Sequence, residues 1–169
     1  GTGYSSHDDE TVTTEGPLQE EIKRALAVGD RANNAVLQQR DGRWSVQGDP
    51  TEGALIVAAR KAGLESEKLA ARFERVGEVP FSSERKLMTT VHTDEDGRGQ
   101  MFVFTKGAPD VLLARCTHEL VGTERKPLDD ARRAAIQQAN EQLATQALRT
   151  LGVAFRILPG SIDTDDIDD

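Results

Sequence analysis

The sequence has one cysteine, Cys116, in 169 residues. No disulfide can close within the chain, which suits a reducing compartment. Long apolar runs are also missing: the longest clean one, about Ala54–Ala59, falls far short of the ~20 residues of a membrane helix. The polar, acidic start does not read as a signal peptide. Aromatic residues make up only 4% of the chain, so any aromatic left at the surface has few companions. Both ends lack basic residues. Residues 1–21 hold six acids and residues 161–169 hold five, and neither stretch holds a lysine or arginine. The formal net charge of −8 therefore belongs to the ends, and the body 22–160 carries +3. The overall balance argues against a nucleic-acid partner or direct contact with an anionic membrane, both of which call for a basic face.

Hydrophobic residues amount to 37%, a low share, yet they recur periodically and the length fits one domain with a core of its own. The expected organisation is a single domain over 1–169, with an acidic start or loop over 1–16 and an acidic linker tail over 161–169. Pro17 opens a helix that places Leu18, Ile22, Ala25 and Leu26 on one face and ends at Gly29-Asp30. Ala35–Arg40 and Arg43–Gln47 flank Asp41-Gly42, a strong type I′ hairpin signal. A second helix begins at Pro50, takes its apolar surface from Leu55, Val57, Ala58, Ala59 and Ala62, and stops at Gly63. A shorter helix follows over Glu65–Arg72.

Strands are expected over Phe73–Val79, Lys86–His92 and Gln100–Lys106, the last two joined by the polar turn Thr93–Gly99. The third has apolar residues on both faces, which suggests a central strand. Pro109–Arg115 reads as a helix and His118–Val121 as a strand. Pro127 is expected to open the longest helix, reaching about Thr145, with Ala135, Ile136, Ala139, Leu143 and Ala147 as its apolar spacing. Leu151–Leu158 reads as a strand. Hairpins outnumber crossovers, so the expected class is α+β, a mostly antiparallel twisted sheet flanked by helices.

The search for familiar chemistry is mostly negative. The chain has no P-loop, no dinucleotide-binding glycine pattern, no His-Glu-x-x-His and no Gly-x-Ser-x-Gly. Cys116 and His118 are two ligands at most, and the aspartates of 163–169 lack the glycine and closing glutamate of a calcium loop, so no metal site and no catalytic residue is expected. Three segments remain. In Pro80-Phe81-Ser82-Ser83-Glu84-Arg85-Lys86-Leu87-Met88, Phe81 sits where a strand ends. It is either a core residue before a charged turn or a ledge for a flat ligand with cations beyond it. In Lys106-Gly107-Ala108-Pro109, a lysine ends an apolar strand, a glycine permits close approach to the backbone, and a helix begins. The bland alternative is an ordinary strand-to-helix corner. In Gly48-Asp49-Pro50-Thr51-Glu52-Gly53-Ala54-Leu55, a capped helix start carries Glu52 in its first turn, suited either to the helix dipole or to accepting a hydrogen bond from a ligand's amino group.

In this order and spacing, these three segments resemble the hallmarks of the nucleotide-binding domain of P-type cation-transporting ATPases, in the type II, calcium- and sodium-pump-like branch. Leu148-Arg149-Thr150-Leu151 resembles a fourth. The resemblance covers nearly the whole chain. It implies that Phe81 stacks on adenine, Glu52 sits by the adenine amino group, Lys86 reaches the nucleotide from the wall, Lys106 and Gly107 line the floor, Arg149 meets the phosphates and Leu151 covers the base, with Ser82 and Met88 contributing shape. Ser83 stands where some members carry arginine, and Gly152 where alanine is commoner. The family's phosphorylated Asp-Lys-Thr-Gly-Thr segment does not occur in this sequence.

The resemblance thus implies a cytoplasmic domain of an integral membrane protein that holds ATP (Mg-ATP in the full-length pump) and presents its γ-phosphate to an aspartate on another domain. Its partners would be ATP and the phosphorylation and actuator domains of the same pump. Alone it should bind ATP with an affinity of order millimolar, near −4 kcal/mol, and hydrolyse none. The competing reading is a regulatory or scaffold domain of the same fold that binds a protein partner without nucleotide. Phe81 with Lys86 and Lys106 distinguishes the two, since a scaffold has no reason to combine them. A free-standing hydrolase is disfavoured by the lack of a nucleophile–base pair.

Overall fold

A computed structural model describes residues 15–97 and 99–158 of the chain. The expected acidic start and acidic tail fall almost wholly outside these residues. The described elements run α1 (Pro17–Arg31), β1 (Val36–Arg40), β2 (Arg43–Gln47), α2 (Pro50–Lys61), α3 (Ser66–Arg72), β3 (Phe73–Val79), β4 (Leu87–Asp94), β5 (Met101–Gly107), α4 (Pro109–Arg115), β6 (His118–Val121), β7 (Glu124–Pro127), α5 (Asp130–Thr145) and β8 (Gly152–Leu158). The strands form a four-stranded sheet in the order β3-β4-β5-β8 and two separate hairpins, β1-β2 and β6-β7. Every pairing is antiparallel. The fold is therefore the α+β arrangement that the alternation of hairpins and helices implies, with β5 central as its two apolar faces require.

Local chemistry accounts for most boundaries. Proline stands in the first turn of α1, α2 and α4, where its missing N–H costs nothing. Asp41 and Gly42 both take positive φ, 50° and 74°, as a type I′ turn demands. Gly63, with φ 79°, follows the end of α2.

The inner strand β4 is buried on both faces, and one face of the sheet gathers the aromatic cluster of the core. Cα register places Phe102, Phe104 and Lys106 beside Ile157, Phe155 and Val153 on one side and beside His92, Thr90 and Met88 on the other. Val28 and Ala32, at the end of α1, pack with Phe73 and Phe104, flanked by Leu69, Phe102 and Val153. The Phe73 ring meets those of Phe102 and Phe104 edge-on, each with centroids 5.3 Å apart. His92 is fully buried among them, its Nδ1 3.1 Å from the Phe73 carbonyl oxygen and its Nε2 2.9 Å from the Thr90 hydroxyl. A carbonyl only accepts, so Nδ1 carries the proton and the Thr90 hydroxyl donates to Nε2. Burial pushes the pKa of His92 down to about 4, so the ring is neutral at pH 7.

The hairpin β1-β2 rests on α2. A methyl at Gly53 would overlap the branches of Val46, so glycine here lets strand and helix touch. Trp44 lies under the Arg60 guanidinium, 5.0 Å from ring centroid to charge centre. At the other end of α2, Asp49 accepts hydrogen bonds from the backbone N–H groups of Thr51 (2.8 Å) and Glu52 (3.1 Å). The bond from the Glu52 N–H leads in holding the Asp49 carboxyl below its usual pKa, against the cost of burial.

The structure corrects three expectations. Of the apolar face expected on α1, Ile22, Ala25 and Leu26 are half-buried but Leu18 is 53% exposed, and the fully buried residues Val28, Gly29 and Asp30 lie at the C-terminal end. The last helix does not open at Pro127. That residue closes β7, which pairs with β6, and α5 starts at Asp130 behind Asp129, whose carboxylate accepts from the Arg132 N–H at 2.7 Å. An aspartate supplies the free N–H groups with an acceptor, which proline cannot do. Finally, α5 contains no buried residue, so its apolar spacing does not mark a core face. Ile136 and Asn140 line a small cavity together with Pro109 and Leu113 of α4, and Ala147 lies beyond the helix with φ 57°.

Candidate functional site

The four segments singled out in the sequence converge on one end of the four-stranded sheet. Antiparallel pairing brings the end of β3, the start of β4, the end of β5 and the start of β8 to the same edge: Leu87 faces Gly107, and Gly107 faces Gly152. The start of α2 joins them through its glutamate.

Lys106 is the centre of this corner. It is 7% exposed, and its Nζ donates to Glu52 Oε1 at 2.6 Å and to the carbonyl oxygen of Ala32. Burial lowers its pKa, and the hydrogen bond it donates to Glu52 works in the opposite direction. Glu52 is thus more than a partner for the helix dipole. Its Oε2 accepts the backbone N–H of Asn34 at 3.2 Å, so each carboxylate oxygen holds a donor and retains a lone pair for a further one.

The segment after β3 forms a tight turn. Lys86 N–H donates to the Ser82 carbonyl at 2.7 Å, and Arg85 N–H donates to Ser82 Oγ at 3.1 Å. Lys86 adopts φ 59°, the left-handed region that lysine rarely occupies. This turn leaves Phe81 59% exposed on its rim. Phe81 is therefore not a core residue, and the ledge alternative is the one its placement fits. Lys86 and Ser82 are exposed beside it. Met88 is 2% exposed and stands in register with Lys106, one layer below the surface.

Gly107 has a reason of its own to be glycine. A methyl there would overlap the Lys86 carbonyl oxygen and crowd Leu87, and that carbonyl accepts the Ala108 N–H at 3.1 Å. The close approach that glycine permits is first of all that of the neighbouring strand. Gly152 is similarly confined: a methyl would come within 3.0 Å of Leu112 Cδ2 and 3.2 Å of Pro109 Cα. Arg149 is exposed, and its charge is felt at Asp49, whose carboxyl it helps to keep acidic. Leu151 is half-buried next to it.

Sequence reasoning missed a polar lattice behind Glu52. Asn33 donates through Nδ2 to the carbonyls of Gly29 (3.1 Å) and Glu52 (2.9 Å), and accepts the Ala35 N–H at 2.8 Å. Arg75 and Glu78 on β3 hold Asn34. The Asn33-Asn34 pair just past a helix end was the one available signal, since asparagine side chains serve backbone groups where regular structure stops.

Against known sequences, residues 21–169 match the family model described as "P-type ATPase, cytoplasmic domain N". The chain belongs to this family. It is 38% identical over 146 residues to a calcium-transporting ATPase of Bacillus subtilis, covering 86% of this chain and 16% of that protein. It is 36% identical over 168 residues to a probable cation-transporting ATPase F of Mycobacterium tuberculosis, covering 96% of this chain and 18% of that protein. A domain N chain thus spans less than a fifth of these relatives. Among the described residues, no helix is long and apolar enough to cross a membrane.

Proposed function

We propose that this domain N binds ATP at the corner formed by Glu52, Phe81, Lys86, Lys106 and Arg149, and presents the γ-phosphate to an aspartate on a separate domain of a cation-transporting pump of the calcium-pump-like branch. The supporting observation is Phe81. A chain with so few aromatics places one on an exposed rim, close in sequence to exposed Lys86 and at the end of the sheet that carries the Glu52–Lys106 pair. A flat π-face, a carboxylate with spare acceptor capacity and cations at the edge match adenine, its amino group and a polyphosphate in turn. Ser82 and Gly107 shape the rim and Met88 supports the floor, with Leu151 beside the base. In the full-length pump the nucleotide is Mg-ATP, and the other partners are the phosphorylation and actuator domains.

The isolated chain is expected to bind ATP with Kd of order millimolar and to hydrolyse none. An amide NMR titration checks this. Shifts centred on Glu52, Phe81, Lys86 and Lys106 support the reading, and no shift at several millimolar ATP overturns it. Phe81→Ala is expected to abolish binding and leave the urea midpoint unchanged, because more than half of the ring is already in water. Magnesium is expected to change the isolated domain's affinity little.

A further inference from the structure

We infer that Arg75, seated by a β-bulge and backed by Glu78, is a positioning residue for the base end of this site, holding the α1–β1 connection so that Glu52 is aimed at the ligand. The inference rests on the proposed nucleotide site.

The connection between α1 and β1 has no regular partner for its backbone, and two cations take up its carbonyls. Arg75 Nη2 donates to the carbonyls of Arg31 (2.7 Å) and Asn33 (2.6 Å), and Lys106 takes the one between them, that of Ala32. Arg75 Nη1 donates to Asn34 Oδ1 at 2.7 Å and to Glu78 Oε2 at 3.2 Å, while Asn34 Nδ2 donates to Glu78 Oε1 at 2.7 Å. The Asn34 side chain is thus fixed at both ends, and its backbone N–H is the donor to Glu52 Oε2. A shift of the Asn34 backbone moves one of the two contacts that hold the Glu52 carboxylate.

The sheet itself arranges this clamp. Residues three apart on a regular strand point to opposite faces. Between Arg75 and Gly77 the register slips, so that Arg75 faces His92 and Glu78 faces Thr90. His92 and Thr90 share a face, and the bulge therefore puts Arg75 and Glu78 on that same face, where an ion pair and a shared asparagine become possible. A guanidinium suits the role because its rigid fork meets four acceptors at once, which an ammonium cannot do in one plane.

The test compares ATP, GTP and inorganic tripolyphosphate on the wild-type chain and on Arg75→Gln, with Kd from amide shifts. Glu52 accepts from the amino group of adenine and not from the carbonyl of guanine, so the wild type is expected to prefer ATP. Arg75→Gln is expected to shrink that preference roughly fivefold, the effect of one misaligned hydrogen bond, with tripolyphosphate affinity unchanged and the Asn34 amide displaced. A general loss of stability would weaken all three ligands together and leave the ratio intact. Arg75→Lys is expected to restore only part of it. Glu78→Gln carries the same prediction in a milder form if Arg75→Gln does not fold. ATP binding with an unaltered ATP/GTP ratio in both variants overturns the positioning role alone. Absence of ATP binding, or equal ATP and GTP affinity, in the wild type overturns the site reading and this inference with it.

Discussion

Lys106 would be a poor residue to place at the buried end of a sheet without Glu52. The pair has side-chain exposures of 8% and 17%, so neither group is well hydrated and each depends on the other. Removing one partner is expected to cost far more than removing both. Glu52→Gln should lose about 2–4 kcal/mol of unfolding free energy, since it strands an ammonium among backbone carbonyls. The double variant Glu52→Gln/Lys106→Met should recover most of that loss. Urea denaturation of both variants checks it, and a double variant no more stable than Glu52→Gln would overturn it. At this scale much was legible: Phe81, Lys106 and Glu52 stood out by type and place. Their mutual contact did not, because 54 residues separate Glu52 from Lys106, and periodicity carries no information about such a meeting. Arg75 was hidden for a sharper reason. It sits three residues from Glu78, a spacing that places side chains on opposite faces of a regular strand, and only the bulge reverses it.

At the scale of elements, the hairpin β1-β2 rests on α2 through Val46 against Gly53 and Trp44 under Arg60. Alanine at position 53 would gain helix propensity of about 1 kcal/mol in an exposed helix. Here the added methyl overlaps Val46, so Gly53→Ala is expected to destabilise by about 1–3 kcal/mol as an overpacked contact. Adding Val46→Ala should restore part of the loss, and thermal unfolding of the single and double variants distinguishes the two terms. Starts and turns were the most readable elements, because proline, aspartate and Asp41-Gly42 act locally through their own backbone. The exceptions share a cause. Pro127 is compatible with both a strand end and a helix start, and pairing of β7 with β6 decides between them. The apolar spacing of α5 is real, yet burial depends on what lies opposite, and no residue of α5 is fully buried.

For the molecule as a whole, the buried neutral His92 links stability to pH. Its pKa is about 4 folded against 6.5 unfolded, so between these values the unfolded chain binds a proton that the folded chain does not. Stability is therefore expected to fall as pH drops from about 6.5 towards 4 and to be independent of this residue above that window. Urea midpoints at pH 7.5, 6 and 5 measure it, and His92→Gln should flatten the slope at some cost in stability at pH 7.5. A wild-type midpoint unchanged across the window would show that the ring is accessible to protons in the folded state.

Trp44 is the one tryptophan in the chain, and it lies on the β1-β2 hairpin against Arg60 of α2. Intrinsic fluorescence excited at the red edge of the protein band therefore has a single origin, and that origin reports whether the hairpin is seated on the helix whose first turn carries Glu52. The chain comes with an optical probe of the scaffold behind its candidate site, in a place that leaves the rim at Phe81 free of any label.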